Sequence, residues 1–216
     1  MNTIYIIGDS TVEDNQPPFR GWGWALPQFV REGVRVKNHA LSGRSSRSFR
    51  AEGLFEPVEQ ALGEGDLLLI QFGHNDGGNK PERHTEPWTS YTDNLTAFIR
   101  FARERGAVPA LLTPICMRVW ENGALQETHG EYKDAMRSLA IKMDVPLLDI
   151  YRDSFRIVAA AGEEGSKAFF MHVALGEDPR YPEGLSDNAH TRRAGAERFA
   201  ACVAKQLIGA GLVSPQ

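Results

Sequence analysis

The chain has 216 residues and a formal net charge of −4, with 42% hydrophobic and 24% charged residues. This balance is ordinary for a globular protein and leaves no basic footprint for nucleic acid. No apolar run approaches the roughly 20 residues that a bilayer span requires.

The length suits a single α/β domain over residues 1–216, with no composition break to divide it. Met1 leads straight into a strand without a basic n-region, an apolar h-region or a cleavage site, so the reading is a cytoplasmic protein. Cys116 and Cys202 lie far apart, and two reduced thiols suit them better than a disulfide. No His, Asp and Cys set has zinc spacing, so neither a metal nor a cofactor is expected.

Ile4-Tyr5-Ile6-Ile7 is β-branched and aromatic without a polar interruption, the pattern of a strand buried on both faces. Gly8-Asp9-Ser10-Thr11 follows at its carboxyl end, where open parallel sheets bind ligands. A Gly- and Trp-rich loop over 17–24 leads to an expected helix over 24–31, which Gly33 stops. Residues 34–38 alternate as a half-exposed strand, and the small polar stretch 40–48 reads as a loop with Gly43 at its middle. A short helix is expected over 55–62.

Residues 66–72 form a second fully apolar run, ending in Gly73-His74-Asn75-Asp76-Gly77-Gly78. Tyr91, Leu95, Phe98, Ile99 and Ala102 recur at helical spacing within 88–105, closed by Gly106. A strand over 108–112, a helix over 129–143, a strand over 145–150 and a helix over 151–161 follow. Residues 176–188 read as a surface loop, and 191–208 as the closing helix.

Strands alternating with helices predict a parallel sheet covered on both faces, a three-layer α/β/α sandwich. The flavodoxin-like order 2-1-3-4-5 places strand 1 between strands 2 and 3. In that order the loops holding Ser10, Gly43 and Asn75 meet at one rim, and the 187–190 loop is able to close over them.

Ser10 becomes a nucleophile only beside a base. His190, three residues after Asp187 in Asp187-Asn188-Ala189-His190, is suited to be that base, because a turn of backbone can bring the carboxylate to one ring nitrogen while the other faces the serine. A surface turn before a helix explains the same spacing. The N–H groups of Ser10 and Gly43 and the side-chain amide of Asn75 are candidate oxyanion donors. A turn glycine and an Asx-turn are the bland alternatives for Gly43 and Asn75. Asp9 reads as bracing its own turn, and Asp76 as bracing the loop after strand 3.

These four blocks occur in order along nearly the whole chain, and together they resemble the SGNH (GDSL-type) hydrolase family. The resemblance implies Ser10 as nucleophile, Gly43 and Asn75 as oxyanion donors, Asp187 as orienter and His190 as base. The wording Gly8-Asp9-Ser10-Thr11-Val12, Gly21-Trp22-Gly23-Trp24, Ser42-Gly43-Arg44 and Phe72-Gly73-His74-Asn75-Asp76 is similar to the rhamnogalacturonan acetylesterase branch. That branch removes acetyl groups from pectin sugars without a metal, so an acetylated oligosaccharide is the expected partner. The Gly-x-Ser-x-Gly pentapeptide of the other common serine-hydrolase design does not occur.

Arg44 and Arg47 adjoin Gly43, where guanidinium groups can grip the carboxylates of an acidic sugar chain; solvated loop arginines are the alternative. His74 either lines the acyl pocket or is hydrogen-bonded beneath its loop. Trp22, Trp24, Trp88 and Trp120 flank the presumed site loops, where flat rings suit stacking on sugars, Trp22 and Trp88 in particular; core packing is the default for at least half of the four. His39, His84 and His129 are expected to be structural or exposed. The same machinery also fits a short-chain carboxylesterase or thioesterase or a lysophospholipase, and a carbohydrate-binding domain with an inactive relic site is the reading outside enzymes.

Overall fold

Continuous apolar runs take the centre of the sheet, and the half-polar one takes its edge. The computed structural model describes residues 3–215. Strand β1 (Thr3–Gly8) is buried along its whole length. Helix α1 (Trp22–Ala25) and a 3-10 turn (Leu26–Gln28) lead to β2 (Arg35–Asn38), which alternates between exposed and half-buried residues. Helices α2 (Ser46–Ala51) and α3 (Glu56–Ala61) precede β3 (Leu67–Gln71), again wholly buried. A π-turn (Pro87–Tyr91) feeds α4 (Thr92–Glu104), followed by β4 (Val108–Leu112).

A small hairpin of β5 (Trp120–Glu121) and β6 (Ala124–Leu125) comes next, then α5 (Tyr132–Met143) and β7 (Leu147–Leu148). Helix α6 (Ile150–Ser166), a second hairpin of β8 (Phe170–Val173) and β9 (Leu185–Thr191), and α7 (Arg193–Gly209) complete the chain.

The main sheet has the order β2-β1-β3-β4-β7, with every neighbouring pair parallel. This is the expected 2-1-3-4-5 arrangement in a three-layer α/β/α sandwich. Successive strand residues point to opposite faces, so each strand feeds two cores. Ile4, Ile6, Leu67, Leu69, Ala110 and Leu112 pack with Trp22, Val158, Phe199 and Val203 from α1, α6 and α7. Tyr5, Ile7, Leu68, Ile70 and Leu111 pack with Val58, Leu95, Phe98 and Met136 from α3, α4 and α5. Each such side chain contributes about 1.5–3 kcal/mol by leaving water, and β1 and β3, buried on both faces, are held hardest. The loops at their carboxyl ends therefore hang from the most rigid part of the fold.

Several elements differ from the sequence expectation for identifiable reasons. The helix over 24–31 is instead the short α1 and a 3-10 turn, because Pro27 lacks the N–H that a continuing helix needs. Within 40–48 the serines start a helix. The Ser45 hydroxyl accepts the Ser48 N–H at 3.1 Å and Ser48 Oγ accepts the Ser45 N–H at 3.0 Å, a reciprocal cap on α2. The strand over 145–150 shrinks to β7, since Pro146 has no N–H to donate and Asp149 caps α6 by accepting the Arg152 N–H at 3.3 Å. The loop over 176–188 gives way to β9 at Leu185, so Asp187 and His190 stand on a hairpin strand, and α7 begins at Arg193.

Candidate active site

Ser10 leaves the central strand on a tight turn. The Asp9 carbonyl accepts the Val12 and Glu13 N–H groups, both at 3.1 Å. The buried Asp9 Oδ1 accepts the Thr11 N–H at 2.9 Å and the Thr11 hydroxyl at 2.8 Å. Asp9 thus braces the turn, and Ser10 projects from it with only 5% of its surface exposed. Gln71, the polar end of an apolar strand, secures the turn from below. It donates to Thr11 Oγ1 at 2.9 Å and accepts from Trp22 Nε1 at 2.8 Å. Trp22 is therefore 0% exposed and part of the core. The expectation that it stacks on a sugar is corrected, because it has neither a free face nor a free polar atom.

His190 reaches the serine from β9. Its Nε2 lies 3.0 Å from Ser10 Oγ, and its Nδ1 lies 2.6 Å from Asp187 Oδ2. Asp187 Oδ1 meanwhile accepts the Ala189 and His190 N–H groups at 2.8 and 3.0 Å. One carboxylate thereby shapes the local backbone and aims the ring. Partial burial works against its charge, but the bonds from the His190 ring and from the two N–H groups outweigh this and hold the Asp187 carboxyl at about 2. Phe19 packs edge-on against the imidazole with centroids 4.6 Å apart.

Asn188, between the two, is clamped from behind: its carbonyl accepts the Arg118 N–H at 2.7 Å, and its Oδ1 accepts Arg118 Nη1 at 3.1 Å. His172 Nε2 also lies 2.8 Å from that Oδ1. Neither Arg118 nor His172 was singled out from the sequence. The available signal was an arginine inside the apolar run 115–119, where a buried charge must have a structural partner.

The loops after β2 and β3 join this turn through hydrogen bonds. The Leu41 N–H donates to the Gly8 carbonyl at 3.1 Å, and the Ser42 hydroxyl donates to the Glu13 carboxylate. Asn75 Nδ2 donates to the Arg44 carbonyl at 3.0 Å, tying the two loops together. Gly43 has φ +74°, a conformation that strains any residue with a Cβ. Among the described residues the N–H groups of Ser10 and Gly43 have no protein acceptor.

Arg44 is committed within its own loop, whereas the exposed Arg47 is only lightly held. Arg44 pairs with Glu52 through Nε at 3.0 Å and Nη2 at 2.8 Å, and its Nη1 donates to the Ser42 carbonyl at 2.9 Å. Arg47 Nη1 is shared between the Pro81 and His84 carbonyls at 3.3 and 3.4 Å. The Arg44 guanidinium thus holds its loop through all three nitrogens, and the Arg47 guanidinium uses one. Trp88 is 51% exposed, with its Nε1 donating to Glu131 at 2.9 Å.

Beneath the Asn75 loop lies a buried polar group that the turn alone does not explain. His74 Nδ1 sits 3.3 Å from Asp9 Oδ2, close enough for charge pairing though misaligned for a hydrogen bond. Burial opposes the Asp9 charge, yet His74 and the Thr11 donors bring its carboxyl below the ordinary value. His74 packs edge-on against His129 at 4.4 Å, and burial, with a smaller push from Lys133, brings the His129 ring well below its ordinary value. Both rings line a cavity of about 360 Å³ with Gly73, Met117 and Tyr132.

Asp76 Oδ1 accepts the Ser46 N–H, the Ser46 hydroxyl and the Thr85 hydroxyl at 3.0, 2.5 and 3.2 Å, joining this loop to α2. Burial is the largest influence and pushes the Asp76 carboxyl up to about 7, despite the bonds from Ser46 and with a further push from the Asp9 charge. In an unfolded chain the same carboxyl titrates at 3.8. The folded state thus holds an extra proton between these values. The resulting stability is complete below 3.8 and is lost as pH rises through about 7. Asp76→Asn keeps the accepting oxygen and cannot ionise. Wild type is expected to lose melting temperature relative to this variant as pH rises from about 4 to about 7, and to run parallel to it above that. In thermal denaturation, curves already parallel below about pH 7 would contradict the assignment.

A hydroxyl, an imidazole and a carboxylate in series, beside unpartnered N–H groups, is the constellation of an acyl-transferring hydrolase. A family model described as the GDSL-like lipase/acylhydrolase family matches residues 6–198, and the chain belongs to that family. It is 42% identical over 213 residues to the rhamnogalacturonan acetylesterase RhgT of Bacillus subtilis strain 168, covering 97% of this chain and 90% of that protein. A second relative in the same organism, the probable rhamnogalacturonan acetylesterase YesY, is 37% identical over 98% of this chain and 94% of its own length. Among solved structures, the Bacillus subtilis protein YxiM superposes with a TM-score of 0.83 at 26% identity, over 98% of this chain and 57% of that one.

Proposed function

We propose that the protein is a serine acetylesterase that removes acetyl groups from rhamnogalacturonan fragments. The observation behind this reading is the unbroken relay from Ser10 Oγ through His190 to Asp187, at 3.0 and 2.6 Å. Ser10 Oγ attacks the acetyl carbonyl as His190 Nε2 accepts its proton. The N–H groups of Ser10 and Gly43 and the amide of Asn75 receive the oxyanion, where loss of one donor typically costs about 10²–10³ in turnover. Collapse breaks the bond to the sugar oxygen, and His190 returns the proton to that oxygen. Water then attacks the acetyl-Ser10 carbonyl as His190 takes its proton, and collapse breaks the bond to Ser10 Oγ, which receives that proton back from His190 as acetate is released.

The substrate class rests on the two relatives named for rhamnogalacturonan deacetylation, which match over almost the entire chain. The exposed Trp88 ring offers a flat apolar face for a sugar unit. We assign the protein to the cytoplasm. Cys116 and Cys202 are both free thiols, which suits a reducing compartment, and there oligosaccharides rather than polymer would be the substrate. Among the described residues, no helix is long and apolar enough to cross a membrane.

Acetate release from acetylated rhamnogalacturonan, xylan and chitin oligosaccharides tests the reading. The expected result is the highest kcat/KM on rhamnogalacturonan. A preference for xylan or chitin fragments would overturn the substrate class while leaving the esterase chemistry in place.

A further inference from the structure

Beside Gly43, Arg83 presents a guanidinium that the fold does not use. The turn that carries it is firmly held: the Arg83 and His84 N–H groups both donate to the Lys80 carbonyl at 2.9 Å. Arg47 grips the Pro81 and His84 carbonyls from α2. His84 bridges the Gly78 carbonyl and Glu86, each at 3.1 Å. These neighbouring side chains are spent on fixing the turn, whereas the half-buried guanidinium of Arg83 has no acceptor among the described residues.

Its position is as specific as its isolation. Nη1 and Nη2 both lie 3.2 Å from the point where a Cβ on Gly43 would stand. Glycine at this position therefore does two things: it adopts φ +74°, and it leaves the space in which the guanidinium rests. The fork is seated directly against one of the proposed oxyanion donors.

We propose that Arg83 determines specificity by binding the carboxylate of a uronate unit at or next to the acetylated sugar; this rests on the rhamnogalacturonan reading, in which that unit is galacturonate. A guanidinium is always charged and presents paired N–H donors that match a carboxylate. Left half out of water without a counter-ion, it is poised for an anionic ligand rather than for the fold. With the acetyl oxygen received at the Gly43 N–H, a carboxylate on that ring or its neighbour comes within reach of Arg83. This assigns to Arg83 the role that Arg44, bound to Glu52 and to the Ser42 carbonyl, is too engaged to perform.

The test compares kcat/KM on acetylated rhamnogalacturonan oligosaccharides with the same oligosaccharides after methyl esterification of their galacturonate carboxyls. In Arg83→Gln the ratio of charged to esterified substrate is expected to fall about 10- to 100-fold, chiefly through KM. Arg83→Lys should recover part of it, since a point charge replaces a fork. Deacetylated oligogalacturonate-containing fragments should inhibit wild type competitively, with a higher inhibition constant for Arg83→Gln. An unchanged ratio, or equal losses on both substrates, would overturn the assignment and make Arg83 a support of the loop or of the oxyanion. Failure of wild type to release acetate from either substrate would be seen before any variant is made, and would remove the rhamnogalacturonan reading and the Arg83 assignment together.

Discussion

Ser10→Ala is expected to lower kcat for acetate release by about 10⁴- to 10⁶-fold, with little change in melting temperature. The size follows from the chemistry: without Oγ no acetyl-enzyme forms, and only the oxyanion donors and binding remain to assist water. The unchanged stability follows from the environment of the hydroxyl. Among the described residues, the Ser10 side chain bonds only with the His190 ring, at 3.0 Å. The turn is held by the Asp9 carboxylate and by Gln71 instead. Hydrolysis of p-nitrophenyl acetate together with thermal denaturation checks both halves of the expectation. Normal turnover by this variant would remove Ser10 from the mechanism.

Asp187→Asn is expected to cost about 10³- to 10⁴-fold in kcat, with KM nearly unchanged. The reason lies in how the two carboxylate oxygens are employed. Oδ1 accepts two backbone N–H groups at 2.8 and 3.0 Å, so an asparagine must place its carbonyl there. Its NH₂ then takes the place of Oδ2, 2.6 Å from His190 Nδ1, and makes that nitrogen an acceptor. The proton of the neutral ring moves to Nε2, which can no longer accept from Ser10. The variant keeps its fold and its ring position but holds the wrong tautomer. Because the wild-type carboxyl is held at about 2, Asp187 stays ionised across the assay range and does not set the acid limb of the pH–rate profile. A variant losing less than tenfold would show that orientation by Asp187 contributes little.

The parts of this molecule that were legible in sequence are those where a single requirement dominates. A strand buried on both faces must be apolar throughout, so β1, β3 and β4 are visible as runs and their order follows from the crossovers. Ser10, Gly43 and Asn75 stand out in the loops after strands and Asp187 and His190 just before the last helix, and the first and last two are hydrogen-bonded in series. What escaped is structure held by long-range pairing. β9, Leu-Ser-Asp-Asn-Ala-His-Thr, has no alternation to reveal it, because it is held by backbone pairing with β8 and, from another segment, by the Arg118–Asn188 clamp.

Trp22 and Arg44 take roles other than substrate contact for a related reason. The sequence shows that Trp22 and Arg44 lie near the site but not that Gln71 and Glu52 already occupy their polar atoms. Nothing in the sequence points to Arg83, which lies forty residues beyond Gly43 in the chain although it rests against it in space.

The most direct test of the account is to catch the acyl group on the enzyme. Rapid acid quench during turnover of an activated acetate ester, followed by peptide mass analysis, is expected to find one acetyl group on the peptide containing Ser10. The Ser10→Ala protein should show none. Acetylation at another residue, or an acetylated Ser10→Ala protein turning over at the wild-type rate, would contradict the mechanism.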